Sequence, residues 1–183
     1  RNKKIYFAVI AVLALAPSLV LGATFRTGQN YYLDSGATIN DNLYAAGGMV
    51  GILGTVNGDV ITAGGSISIS GNVAGDVTAA GGNLNITSNV AGDLRVAGGN
   101  IFVSNSVGGD LLVAGGQISV LPGTSVGKDA SIAGGVVYID GTINGNLSVA
   151  AEEIKLGPSA VISGDFDYYS KKQATLENGA SVS

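Results

Sequence analysis

The chain contains no cysteine, no histidine and no tryptophan among its 183 residues, and only 3 prolines and 1 methionine. Without a thiolate or an imidazole there is no sulfur nucleophile, no disulfide framework and no histidine acid–base or metal chemistry. Cysteine usage therefore says nothing of redox compartment, and a lipid anchor attached through a cysteine near the N-terminus is excluded. Positive charge is also scarce: 9 Lys and Arg stand against 13 Asp and Glu, for a formal charge of −4. Nucleic-acid binding calls for clustered Lys and Arg that displace counterions, so that class is set aside. No long stretch carries a helical period.

What is present is glycine, 30 of them, in a repeating frame. The stretch Val73–Val107 writes one unit twice, Val-Ala-Gly-Asp-(Val/Leu)-x-x-Ala-Gly-Gly-Asn-(Leu/Ile)-x-(Ile/Val) followed by a short polar corner. Asp76 and Asp93 fill the same slot 17 residues apart. Extended outward, that slot holds Asn42, Asp59, Asp76, Asp93, Asp110, Asp129, Asn146 and Asp165, at separations of 17 or 19. The two lengths have one cause. Short corners run like Ile69-Ser-Gly-Asn-Val73, whereas long ones add two residues, as in Val120-Leu-Pro-Gly-Thr-Ser-Val126, Leu33-Asp-Ser-Gly-Ala-Thr-Ile39 and Leu176-Glu-Asn-Gly-Ala-Ser-Val182.

Reading down equivalent slots separates core from surface. The residues following the anchors are Leu43, Val60, Val77, Leu94, Leu111, Ala130, Leu147 and Phe166. Eight after the anchors stand Val50 to Ile154 and then Gln173; ten after stand Ile52 to Leu156 and then Thr175. Apolar residues alternate with Ser, Thr, Asn and Asp, the period of strands with one buried face. Short strands, polar turns and a fixed period of 17 to 19 predict an all-β parallel β-helix of about eight coils. The repeat array is expected over 41–183, with 24–40 as an N-terminal cap and first partial coil. Because the chain breaks off where another Gly-Asp is due, the array is expected to continue past Ser183.

Residues 1–23 read differently. Arg1, Lys3 and Lys4 precede an apolar run from Ile5 to Leu21 that ends in Gly22-Ala23. This is the pattern of a secretory signal peptide cut after Gly22 or Ala23, with a signal anchor as the alternative. The expected location is the cell envelope or cell surface, with the exported rod associated with membrane or cell wall. With Arg rather than Met in first place, the chain is expected to be a fragment of a longer one.

Aligned coil on coil, the chain resembles the bactofilins, the polymer-forming cytoskeletal repeat proteins. The resemblance is carried by Ala151-Glu-Glu-Ile-Lys-Leu-Gly-Pro-Ser-Ala-Val-Ile-Ser-Gly-Asp165, by Gly141-Thr-Ile-Asn-Gly145 and by the recurring Val-x-Gly-Asp-Leu, over about residues 33–183. It implies a right-handed, triangular β-helix that polymerises end to end without a nucleotide and serves as a scaffold at the membrane. Two features depart from the cytoplasmic type, the leader and the richer Ala-Gly-Gly motif.

Among candidate sites, the ladder Asp59, Asp76, Asp93, Asp110 and Asp129 comes first. Stacked carboxylates could take Ca²⁺ or another hard cation, but the calcium-binding nonapeptide of other β-helices is missing, and capping of each Asp's own turn is the favoured reading. Stacked like charges are also expected to raise one another's pKa. The glycine pairs lack the Lys and helix of a phosphate cradle and are read as corners needing positive φ or close coil-to-coil approach. The column Ser66, Asn83, Asn100, Gln117 is suited to an amide ladder, and Asn85 and Asn146 begin glycosylation-type triplets. Outward apolar residues are few: Tyr44, Ile61, Phe102, Leu112 and Tyr138, with Phe102 and Tyr138 in one column as a candidate lateral contact or sugar platform. With no poised acid–base pair, the expectation is a protein that is not an enzyme and takes no catalytic residue, cofactor or metal. Its expected role is a scaffold that self-assembles through its coil ends; the alternative is a monomeric surface adhesin or glycan-binding module.

Overall fold

A computed structural model describes residues 24–183; the expected leader lies outside the described residues. The strands, in chain order, are β1 (Thr24–Leu33), β2 (Thr38–Ile39), β3 (Leu43–Ile52), β4 (Thr55–Val56), β5 (Val60–Ile69), β6 (Val77–Ile86), β7 (Leu94–Val103), β8 (Ser106–Val107), β9 (Leu111–Val120), β10 (Ser125–Val126), β11 (Ala130–Ile139), β12 (Thr142–Ile143), β13 (Leu147–Leu156), β14 (Val161–Ile162), β15 (Phe166–Tyr169), β16 (Thr175–Leu176) and β17 (Ser181–Val182). No helix occurs among them, and every pairing is parallel.

Each coil contributes one long strand and one short strand. The long strands stack in the order β1-β3-β5-β6-β7-β9-β11-β13-β15, with β16 completing the last level beside β13. The short strands form a second stack, joined through single bridges Val56–Val73, Val73–Val90 and Val90–Val107 where the corners are shortest. The result is a β-solenoid of nine coils, roughly 40 Å long at ~4.8 Å per strand.

Why three faces arise from two kinds of strand is visible in the burial pattern. In β5 the first and third residues are buried, then the eighth and tenth, so the inward parity switches within one strand. The switch falls on the glycine pair, whose second member is skipped in the coil-to-coil pairing: Gly47 pairs with Gly64, then Met49 with Ser66. The long strand therefore bends there into two faces, and the short strand closes the third.

The glycine pairs are held to glycine by close approach. A Cβ on Gly64 would lie 2.6 Å from the Gly47 carbonyl oxygen. The alternative requirement, positive φ, does not apply to them; the left-handed region is occupied only at Gly123, Gly179 and Asn105 among the described residues. Ala151 takes the glycine slot in β13.

The interior is a continuous stack of Val, Ile and Leu. Leu43, Ile52, Ile69, Leu94, Ile139 and Ile143 are fully buried, each contributing on the order of 1.5–3 kcal/mol of transfer free energy. Two levels differ from the expected register. β1 pairs along β3, from Thr24 beside Leu43 to Leu33 beside Ile52, so the chain makes a further coil before the apolar columns begin, with Thr24 in a column that is apolar elsewhere and Arg26 in one that is apolar apart from the buried Thr62. In the last coil the pairings Lys155–Thr175 and Leu156–Leu176 show one extra residue after β15. Ala174 and Leu176, rather than Gln173 and Thr175, continue the inward columns there, and Ala174 packs against the core.

Candidate functional site

All eight anchor residues stand in one column, each immediately before its long strand. Five of them are the carboxylates singled out from the sequence, and their role differs from the expected one in direction. Each side chain reaches forward along the rod, not into its own turn. Asn42 Oδ1 accepts the Asp59 N–H at 2.8 Å, Asp59 the Asp76 N–H at 2.9 Å, Asp76 the Asp93 N–H at 2.8 Å and Asp93 the Asp110 N–H at 2.8 Å. Asp110 then accepts from Asp129 at 3.1 Å, Asp129 from Asn146 at 2.7 Å, and Asn146 from Asp165 at 3.0 Å. Each corner N–H that would face the neighbouring coil without a partner is thus satisfied by the side chain beneath it, as backbone donors require.

The electrostatics of the column turn on Arg95. Its guanidinium bridges Oδ2 of Asp76, at 3.0 Å, and Oδ2 of Asp93. Burial pushes the Asp76 carboxyl up, but the Asp93 N–H, the Arg95 guanidinium and the more distant Lys128 together hold it below the ordinary carboxylate value. The expectation that like charges raise the pKa is therefore reversed at Asp76. Arg95 itself is raised, first by its bond to Asp76.

For cation chemistry the arrangement offers little convergence. One oxygen of each carboxylate is committed to a backbone donor, and the second oxygens of Asp76 and Asp93 are taken by Arg95. No group of three or more carboxylates capable of holding a metal ion occurs among the described residues. The ladder's chemistry is coil-to-coil registration.

The amide column behaves as its sequence suggests at one step, Asn100 Nδ2 donating to Asn83 Oδ1 at 2.9 Å. Two further amide steps escaped the sequence reading, Asn57 to Asn40 at 2.7 Å and Asn89 to Asn72 at 3.3 Å; both pairs recur 17 residues apart, which is the signal that could have found them. Both glycosylation-type asparagines, Asn85 and Asn146, are exposed, and Asn146 is also engaged in the ladder.

The outward apolar residues are mostly half-buried; Phe102 is exposed. Phe102, Ser119 and Tyr138 do share a column. Tyr138 is fixed from two sides: its hydroxyl donates to Asp140 Oδ2 at 3.0 Å, and Lys155 Nζ sits 5.7 Å from its ring centre. Burial and the Asp140 bond push the Tyr138 hydroxyl above its ordinary value. Asp140 is only 4% exposed and also accepts the Ser159 N–H at 2.6 Å, tying the long corner before β14 to the coil below. Nothing in the sequence distinguished this Asp, which lies outside the repeating column.

At the two ends of the stack the surface changes character. In the first coil Phe25 stacks on Tyr44, with ring centres 4.9 Å apart, and Tyr32 is exposed. In the last coil Phe166 and Tyr168, both at inward positions, stack at 5.1 Å, and Tyr168, Tyr169 and Leu176 are exposed.

The fold and the ladder together define an uninterrupted parallel β-solenoid whose coils are registered by side-chain-to-backbone bonds. Comparison with protein-family models, with curated proteins and with solved structures found no match for the chain.

Proposed function

We propose that the chain is a non-enzymatic structural protein of the cell envelope that assembles with copies of itself through the ends of its β-helix, in the manner of the bactofilins it resembles. The observation that supports the reading is the ladder that joins coil to coil through the same side-chain-to-backbone bond. Among the described residues β1 pairs only with β3, and β15, β16 and β17 each pair on one edge only. An open strand edge beside exposed apolar side chains is a template for another strand. Phe25 and Tyr32 at one end, and Tyr168, Tyr169 and Leu176 at the other, are 44–62% exposed. The ladder adds a reason for register: a coil laid on another meets a column of acceptors spaced for its own backbone donors. The envelope location rests on the leader-like residues 1–23.

Negative-stain electron microscopy of the purified chain, with calcium and with a chelator, tests this. Filaments in both conditions are expected, because the ladder's bonds need no cation. Filaments in calcium alone would make the Asp column a functional cation site. Short dispersed rods in both would overturn self-assembly and favour a monomeric surface-binding module, with Phe102 and Tyr138 the first residues to examine.

A further inference from the structure

In the middle of the rod, the second half of each long strand builds a flat outer face on which two outward columns run side by side. One carries Asn83, Asn100 and Gln117 on successive coils, and the other carries Phe102, Ser119 and Tyr138. Neither column holds a charged residue from the coil of Ser66 to that of Tyr138, although the chain is acidic overall. Charge begins one coil later, at Glu153 and Lys155. Each amide follows a glycine pair, as Gly98-Gly99 precedes Asn100, so no side chain rises along that edge. Asn83, Gln117 and Phe102 are exposed, Phe102 at 45%. Asn100 Nδ2 donates to Asn83 Oδ1 at 2.9 Å, which leaves the donors of Asn83 and the acceptor of Asn100 for an outside partner. The Tyr138 ring is already held by the Asp140 bond and by Lys155, so little side-chain freedom is lost when something packs on it.

We propose that this face binds an unbranched β-1,4-linked glycan chain, laid along the rod axis with one pyranose ring per coil. The proposal stands on the face alone and does not depend on self-assembly. Successive coils advance ~4.8 Å, close to the advance of one ring in an extended β-1,4-linked chain. In such a chain adjacent rings are turned over relative to one another, so the same sugar face returns at every second ring. Phe102 and Tyr138 stand two coils apart, ~9.6 Å along the rod, and offer an aromatic ring at that interval with the small Ser119 between them. The C–H face of a pyranose is apolar and packs on an aromatic ring, while its hydroxyls exchange hydrogen bonds with amides. The neighbouring column supplies one such amide per coil. Neutrality narrows the partner further. A nucleic acid calls for cations that these columns lack. A protein partner calls for a cluster of apolar anchors at the centre of its contact, whereas Phe102 and Val136 are the exposed large apolar residues of the two columns over this stretch.

Calorimetric titration of the purified chain with cellohexaose, and with the β-1,4-linked hexamer of N-acetylglucosamine, tests the proposal. Saturable binding of either supports it, and the preference between them tells a hydroxyl-only chain from an N-acetylated one. With one ring per coil, three rings are the shortest chain that reaches from Phe102 to Tyr138, so affinity is expected to step up between the disaccharide and the trisaccharide. Phe102→Ala removes an exposed side chain and is expected to weaken hexamer binding about ten-fold. Tyr138→Ala should flatten the step with chain length, while Tyr138→Phe, which keeps the ring and loses the Asp140 bond, should bind like the parent. Three results would overturn the proposal: no saturable binding of either hexamer, equal binding of maltohexaose, whose α-linked chain curls away from a straight track, or hexamer binding unchanged in Phe102→Ala. Side-by-side pairing of rods that Phe102→Ala abolishes, with no hexamer bound, would give the face to a second copy of the chain and overturn it as well.

Discussion

If the anchor column acts through hydrogen-bond acceptance rather than charge, its two natural asparagines predict the outcome of mutagenesis at Asp59. Asp59 accepts the Asp76 N–H at 2.9 Å and takes part in no ion pair among the described residues. Asn42 performs the same task one coil earlier at 2.8 Å, and Asn146 performs it later at 3.0 Å. Asp59→Asn keeps an acceptor in place and is expected to stay within about 0.5 kcal/mol of the parent, as for an ordinary surface change. Asp59→Ala leaves the half-buried Asp76 N–H unpaired, which costs about 1–3 kcal/mol. Because stability in a solenoid is a sum of coil and neighbour terms, the loss falls locally and a global melting curve would blur it. Native-state hydrogen exchange at the Asp76 amide is the suitable readout. A penalty of 1–3 kcal/mol corresponds to roughly 5- to 150-fold faster exchange there in Asp59→Ala, with near-parent exchange in Asp59→Asn and little change at the distant Asp129 amide. Equal acceleration in both variants would show that the charge matters and the acceptor does not, and the reasoning would fall.

A Cβ at Gly36 and one at Gly123 would each meet open space, but Gly123 has φ +84 and Gly36 is not left-handed; Gly36→Ala should be neutral or stabilising by up to about 1 kcal/mol, and Gly123→Ala should cost about 1–2 kcal/mol, so equal effects in chemical denaturation would contradict the turn assignment. The depressed Asp76 carboxyl favours the folded state above the ordinary carboxylate value of 3.8, and that contribution is lost as pH falls through the lower folded-state value. An NMR titration should show Asp76 protonating below the ordinary range in the parent and moving upward in Arg95→Gln; an unchanged midpoint would remove Arg95 from the explanation.

The period and the alternation carried most of the fold in plain view. A side chain that recurs every 17 residues and points inward must meet its equivalents, so Val73, Val90 and Val107 could be stacked before any coordinates existed. What stayed hidden is what the period cannot encode. Thr24 and Arg26 occupy inward positions that are uncharged in the other coils, and the first described coil can carry them because one side of it faces no other coil among the described residues. The last coil held conflicting signals: counting from Asp165 pointed to Thr175, while the corner motif pointed to Leu176, and the backbone followed the corner, which keeps Leu176 beside Leu156 and Val182 beside Ile162. The Asp column was legible as a column but not in its direction, since the same carboxylate could cap its own turn or the next coil. Asp140 carried no signal, because its partners Tyr138 and Ser159 are a corner's idiosyncrasy.

The forward-reaching anchor has a consequence for how such a chain can change size. Every internal level presents a side-chain acceptor upward and a backbone donor downward, so any two levels are joined by the same connection. Removing or duplicating one whole 17-residue unit, for instance Val73–Asn89, brings together surfaces already matched to one another. A deletion that is not a whole coil of 17 or 19 residues would shift the inward residues that follow it out of their columns. The rod can therefore be shortened or lengthened only in whole steps, and its length is a count of identical joints, open to revision without redesign of the parts.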